Sequence, residues 1–119
     1  MSYNIYLNDP VTQELIQLEE KHQIHGGTYA VGGTTEARLN VTYNYSAHFK
    51  RAFGHDEGVR SIYGKTGAES ILLLKAAIAA LGDNVSSNYW EATEGNAKRA
   101  LYGLLALAQM RPDGVWEGN

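Results

Sequence analysis

Gly64-Lys65-Thr66 stands directly ahead of an apolar run, and Gly-Lys-Thr in that position is how a phosphate-wrapping loop ends. Such a loop follows G-x-x-x-x-G-K-[ST], because its backbone N–H groups must curl around the phosphate before the lysine and the hydroxyl can reach it. The residue that would have to be the first glycine is Val59, with Gly58 one place too early, and Arg60, Ile62 and Tyr63 fill positions where backbone must approach oxygen closely. Thr66-Gly67-Ala68-Glu69 has a simpler reading as S/T-x-x-E, the capping box that opens a helix by satisfying its first free N–H groups.

Other reactive types are sparse. There is no cysteine, hence no thiolate nucleophile and no thiolate metal site, and no G-x-S-x-G elbow occurs. His22-x-x-His25 and His55-Asp56 offer imidazole and carboxylate, but the helical H-E-x-x-H spacing is missing. The four histidines, with His48, read as hydrogen-bonded or exposed side chains, and Glu19-Glu20 and Asp56-Glu57 read as solvated turn residues. The expectation is a chain that is not an enzyme, with no metal and no cofactor.

Binding chemistry is better supplied. Eight tyrosines and two tryptophans are many for 119 residues, and several adjoin basic or amide residues where the hydrophobic period changes. Tyr43 and Tyr45 precede Arg51; Arg60 and Lys65 lie in the stretch around Tyr63; Trp90 precedes Asn96 and Arg99. Aromatic faces stack on bases, guanidinium groups fork onto phosphates, and helix starts attract anions. Together these eight residues compose a candidate site for a small anionic nucleotide. Read structurally instead, the aromatics are core or contact residues and the bases a solvated face.

These residues need elements to carry them. The length and a 44% hydrophobic content suit a single domain over residues 1–119. Glu36 to Tyr45 alternates Ala, Leu, Val, Tyr and Tyr with polar residues, the pattern of a half-buried strand. A short strand, 28–31, sits between glycine pairs. Tyr3-Ile5-Leu7 and Ile16-Leu18 read as two strands of a hairpin joined at Asp9-Pro10, with a helix after Pro10 as the competing reading. The period then becomes helical: a short helix 47–53 capped by Ser46 and closed by Gly54, a long one from about Gly67 to Leu81 stopped by Gly82, and a last one from Thr93 as cap to about Met110. Pro112-Asp113-Gly114 ends it. Strands followed by helices give an α+β fold, a small antiparallel sheet from the N-terminal half with two or three C-terminal helices packed on one face.

Charge narrows the partners. The net charge is −3, all of it from residues 1–45, where five acids face two bases; residues 46–119 carry eight of each. That balance can hold a small anion locally but does not coat an extended nucleic acid. The N-terminus lacks a basic start and an apolar core, and the longest apolar stretch is too short to span a bilayer, so no export and no membrane are expected. The helix 67–81 is apolar almost all round, which leads to an expectation of homo-oligomerisation.

The blocks GGTYAVGGT, LNVTYNYSAHF, SIYGKTGAES and YWEATEGNAKRAL with RPDGVW resemble a family of small phage- and prophage-encoded proteins, over nearly the whole chain. The resemblance implies a setting, the cytoplasm of a bacterial host, and no mechanism. By analogy with accessory phage proteins of this size, it implies a counter-defence role, a sponge that sequesters a small signalling nucleotide without catalysis; the alternatives are a protein-binding inhibitor of a host defence factor and a phage structural accessory protein.

Overall fold

The computed structural model describes residues 1–22 and 33–119. The strand read at 28–31 and the second histidine of His22-x-x-His25 lie outside the described residues. Five strands and three helices follow in the order β1 (Ser2–Asn8), β2 (Gln17–His22), β3 (Thr34–Glu36), β4 (Arg38–Thr42), α1 (Ser46–Phe53), α2 (Gly67–Ala79), α3 (Glu94–Met110) and β5 (Val115–Gly118), an α+β arrangement.

β1 is the centre of a three-stranded antiparallel sheet ordered β4-β1-β5, and β2 pairs with β3 in a two-stranded ladder. Alternation in β1 buries Tyr3, Ile5 and Leu7, and register sets Tyr3 opposite Val41 and Ile5 opposite Leu39. The N-terminal stretch is thus extended rather than helical. It is not a regular hairpin, however: across the Asp9 turn the end of β1 meets the residues ahead of β2 through the bond from Asp9 N–H to Glu14 C=O, the bridge Asn8 to Leu15 and the bond from Ile16 N–H to Leu7 C=O, and β2 itself pairs with β3. Asp9 makes that turn by accepting from the N–H groups of Val11 and Thr12, 2.8 and 3.0 Å, which stops the chain from reversing in two residues.

The strand read from Glu36 to Tyr45 is broken twice. Ala37 separates β3 from β4, and the strand ends at Thr42, whose hydroxyl accepts from Asn44 N–H and starts a 3₁₀ turn at Tyr43–Tyr45. That turn leads straight into α1, so Ser46 is not the cap; its hydroxyl donates to Tyr43 C=O at 2.6 Å. Gly54 closes α1 with φ +61°, a conformation that favours glycine.

α2 opens with the capping box read from the sequence: Thr66 Oγ1 accepts from Glu69 N–H at 3.1 Å, and Glu69 Oε1 accepts from Thr66 N–H at 2.9 Å. It ends at Ala79, one turn short of Gly82. α3 is capped by Thr93 and buries Ala97, Leu101, Leu104, Leu105 and Ala108 against α2 and the sheet. One strand has no counterpart in the sequence reading. After Pro112-Asp113-Gly114, β5 returns along β1 and inserts Trp116, fully buried, into the core. Among the described residues, no helix is long and apolar enough to cross a membrane. α2 leaves Leu72 77% and Leu73 40% exposed.

Candidate functional site

Among the described residues β4 is an edge strand, and alternation along an antiparallel ladder decides which of its backbone groups face away from β1. Leu7 N–H donates to Ala37 C=O, so the odd residues 37, 39 and 41 bond to β1 and the even residues 38, 40 and 42 present their N–H and C=O groups to the other side. Facing that edge is a cleft of about 250 Å³. Leu39, Asn40 and Val41 form one wall, Tyr45 and Tyr89 one end, Ser86 and Ser87 the rim, and Asn96, Arg99 and Ala100 of α3 the opposite wall.

The rim segment, 82–92, has no regular structure, and Asn96 fixes it. Its Oδ1 accepts from Ser86 N–H at 3.0 Å, and its Nδ2 donates to Asn88 C=O and Glu91 C=O at 3.1 and 3.0 Å. Gly95 is required beside it, because a Cβ there would stand 2.7 Å from the backbone of Asn84. Tyr89 is the link to the sheet: its hydroxyl accepts from Thr42 N–H at 2.9 Å and donates to Asn40 C=O at 3.4 Å, while its own C=O accepts from the buried Tyr45 hydroxyl. Burial pushes the Tyr45 phenol up to about 12. Among the described residues, none that lines the cleft is a histidine, carboxylate, cysteine or lysine. Arg99 is exposed, and among the described residues no ion pair engages it.

Of the eight residues read from the sequence, the cleft brings together Tyr45, Asn96 and Arg99. Asn96 acts there through the rim, since its amide is already spent on three backbone groups. Tyr43 and Arg60 form a different cluster: the Arg60 guanidinium lies 4.9 Å from the Tyr3 ring centroid and 5.5 Å from that of Tyr43, with Nε donating to Asn119 C=O. Tyr63 completes it, its phenol pushed up to about 12 by burial. Arg51 is held by Glu94 at 2.8 Å and touches His48 Nδ1, tying α1 to the start of α3. Trp90 packs edge-on against Tyr89, centroids 5.1 Å apart, behind the cleft rather than in it. Lys65 does not line the cleft; its C=O accepts from Trp116 N–H. Of the eight candidates, three thus line the cleft and the other five stand outside it.

The sequence reading missed Tyr89, Ser87 and the edge of β4. Tyr89 had a signal, its place beside Trp90 at the end of a polar loop; the strand edge had none, because its exposure depends on which strand lies beside β4. His22 Nε2 meets Glu36 C=O at 2.6 Å, His48 Nε2 meets Ala92 C=O at 2.8 Å, and His55 Nδ1 accepts from Glu57 N–H at 2.9 Å. Glu19 and Glu20 lie on β2 rather than in a turn, and both are exposed. No protein-family model matches this chain, and comparison with curated proteins and with solved structures finds no match to it.

Proposed function

We propose that this chain is a non-catalytic binding protein that holds a small anionic ligand of nucleotide type in the cleft between β4 and α3. The observation that carries the reading is Arg99: a guanidinium with no ion-pair partner among the described residues, at the mouth of a cleft lined by apolar, aromatic, amide and hydroxyl groups. A guanidinium forks onto phosphate, and the half-buried Tyr89 ring gives the far end a surface suited to a planar group. Turnover has no support, because the described residues of the cleft offer no general base: a phenol held near 12 keeps its proton at neutral pH. In the phage setting that the sequence blocks imply, such a protein sequesters a signalling nucleotide in the host cytoplasm. Thermal shift against mononucleotides and cyclic nucleotides tests this; ligand at one hundred times Kd adds about 2.7 kcal/mol of stability. A flat panel rejects it.

A second reading, contact with another protein, is favoured by the exposure of Leu72 on α2. Ala76, Ala79 and Ala80 continue that apolar surface, and a second copy of the chain is the occupant with a matching apolar helix.

A further inference from the structure

The rim 82–92 belongs to no helix or sheet, yet other elements hold it at every residue from Asn88 to Ala92. Asn96 Nδ2 donates to Asn88 C=O and Glu91 C=O, and the Tyr45 hydroxyl donates to Tyr89 C=O. Asn44 Nδ2 donates to Trp90 C=O at 2.8 Å, and His48 Nε2 meets Ala92 C=O at 2.8 Å. Asn44, Tyr45 and His48 come from one short segment, so the 3₁₀ turn and the first turn of α1 join Asn96 as a clasp on consecutive carbonyls. A loop held this way has little freedom left to lose when a ligand arrives.

Two adjacent serines on that rim line the cleft, and the structure gives them different work. Ser86 is half-buried and spent on the rim: its N–H donates to Asn96 Oδ1 at 3.0 Å, while its Oγ donates to Glu91 Oε2 at 2.7 Å and accepts from Asn88 N–H at 3.1 Å. Ser87 is exposed, and the residues on both sides of it are fixed by those bonds and by the bond from Asn96 to Asn88 C=O. Its hydroxyl is therefore presented at a set place on the rim of the cleft that Arg99 lines. A hydroxyl donates to a phosphate oxygen as a guanidinium does, and needs no charge of its own to do so.

Resting on the ligand reading above, we propose that Ser87 is the second protein group on the bound phosphate, its hydroxyl donating to an oxygen of the group that Arg99 holds. Ser86, the same residue type one place earlier, serves only the rim. The division follows from Asn96, which takes the Ser86 N–H and the Asn88 C=O and so carries Ser87 between two anchored neighbours.

The test uses AMP and CMP as probes of the full chain, with calorimetry for affinity and thermal melting for stability. Ser87→Ala should weaken both nucleotides about tenfold or more and leave the melting temperature of the unliganded protein in place. Ser87→Thr keeps the hydroxyl and should keep most of the affinity. Ser87→Glu sets a carboxylate on the rim beside Arg99 and should abolish binding while the chain stays folded. Ser86→Ala should act the other way round and lower the melting temperature, because it removes both Oγ bonds from the rim. Ser87→Ala combined with Arg99→Ala should cost less than the sum of the two, since both groups hold one phosphate. Unchanged affinity in Ser87→Ala overturns the assignment, and so do strictly additive losses, which would put the hydroxyl on the sugar or the base. In either case a loss of affinity in Arg99→Ala leaves the ligand reading standing. If the parent binds neither nucleotide, both readings fall.

Discussion

The indole Nε1 of Trp116 donates to Ser70 Oγ at 2.8 Å, and both residues are fully buried. Ser70 in turn donates to Gly67 C=O at 2.8 Å, so one hydroxyl joins the last strand to the first turn of α2. Ser70→Ala leaves the indole N–H without an acceptor in an apolar core, and should cost about 1–3 kcal/mol. Trp116→Phe loses area but strands no donor, because Ser70 keeps its bond to Gly67. Urea unfolding checks the pair; a Ser70→Ala midpoint equal to that of the parent would show that the indole finds water.

Thr66→Ala removes the hydroxyl that caps α2 and should cost about 1 kcal/mol. Lys65→Ala should leave stability nearly unchanged, since that side chain takes no part in the capping bonds. Neither variant should differ from the parent in ATP or GTP hydrolysis, which should be at background. Magnesium-dependent hydrolysis that disappears in Lys65→Ala would restore the phosphate-loop reading of Gly-Lys-Thr.

Local signals survived folding where the element depends on its own residues. The capping box, the Thr93 cap and the apolar stripe Ala97, Leu101, Leu104, Leu105, Ala108 are stated by spacing alone and appear as read. The errors fall where a distant partner decides. Ile16 bonds Leu7 while Ala37 bonds both Ile16 and Leu7, a three-way junction that converts the expected hairpin into two ladders. Thr42 ends β4 because its hydroxyl takes Asn44 N–H, a competition that alternation cannot show. Val115–Gly118 is too short to display a period, yet it completes the sheet because β1 offers it an edge. The site followed the same rule: Tyr45, Asn96 and Arg99 meet because the 3₁₀ turn and α3 converge beside β4, whereas Arg60 finds Tyr3, 57 residues away in the sequence.

Glu94 is the acidic link of the rim. Its carboxylate is held below the usual 4.5 first by the Gly82 N–H and then by Arg51. A group with a depressed folded pKa contributes stability that is complete above its unfolded value and is lost as pH falls through the folded one. The melting temperature of the parent should therefore decline below about pH 4.5 more steeply than that of Glu94→Gln, with the two curves parallel above pH 6. Both partners are partly exposed, so the difference should shrink in high salt. Coincident slopes on the acid side would remove Glu94 from the contacts that hold the rim.

Leu72→Glu addresses the exposed face of α2. A leucine 77% exposed contributes little to the core, so the substitution should leave the unfolding free energy of the isolated chain within about 0.5 kcal/mol of the parent's. If a second copy covers that face, the parent sediments as a dimer at about tens of micromolar and Leu72→Glu as a monomer. A parent that is monomeric under those conditions removes the second copy.

Arg60 and Arg99 should separate stability from affinity. Arg60 donates to Asn119 C=O and Tyr43 Oη and lies over two tyrosine rings, so Arg60→Ala removes a cation–π contact of about 0.5–1 kcal/mol along with its hydrogen bonds. Its melting temperature should fall while nucleotide affinity is unchanged, because it lies outside the cleft. Arg99 has no ion-pair partner among the described residues, so Arg99→Ala should leave melting in place. Losing its charged contact to phosphate is worth about 1.5–3 kcal/mol, roughly 10- to 150-fold in Kd. Arg51→Ala, which breaks a pair with Glu94 on the far side of the rim, should behave as Arg60→Ala does, with a smaller stability change. Calorimetry with the nucleotide that gives the largest thermal shift reads all three. Affinity lost with Arg60 and kept with Arg99 would move the site from the β4 edge to the tyrosine cluster around Asn119.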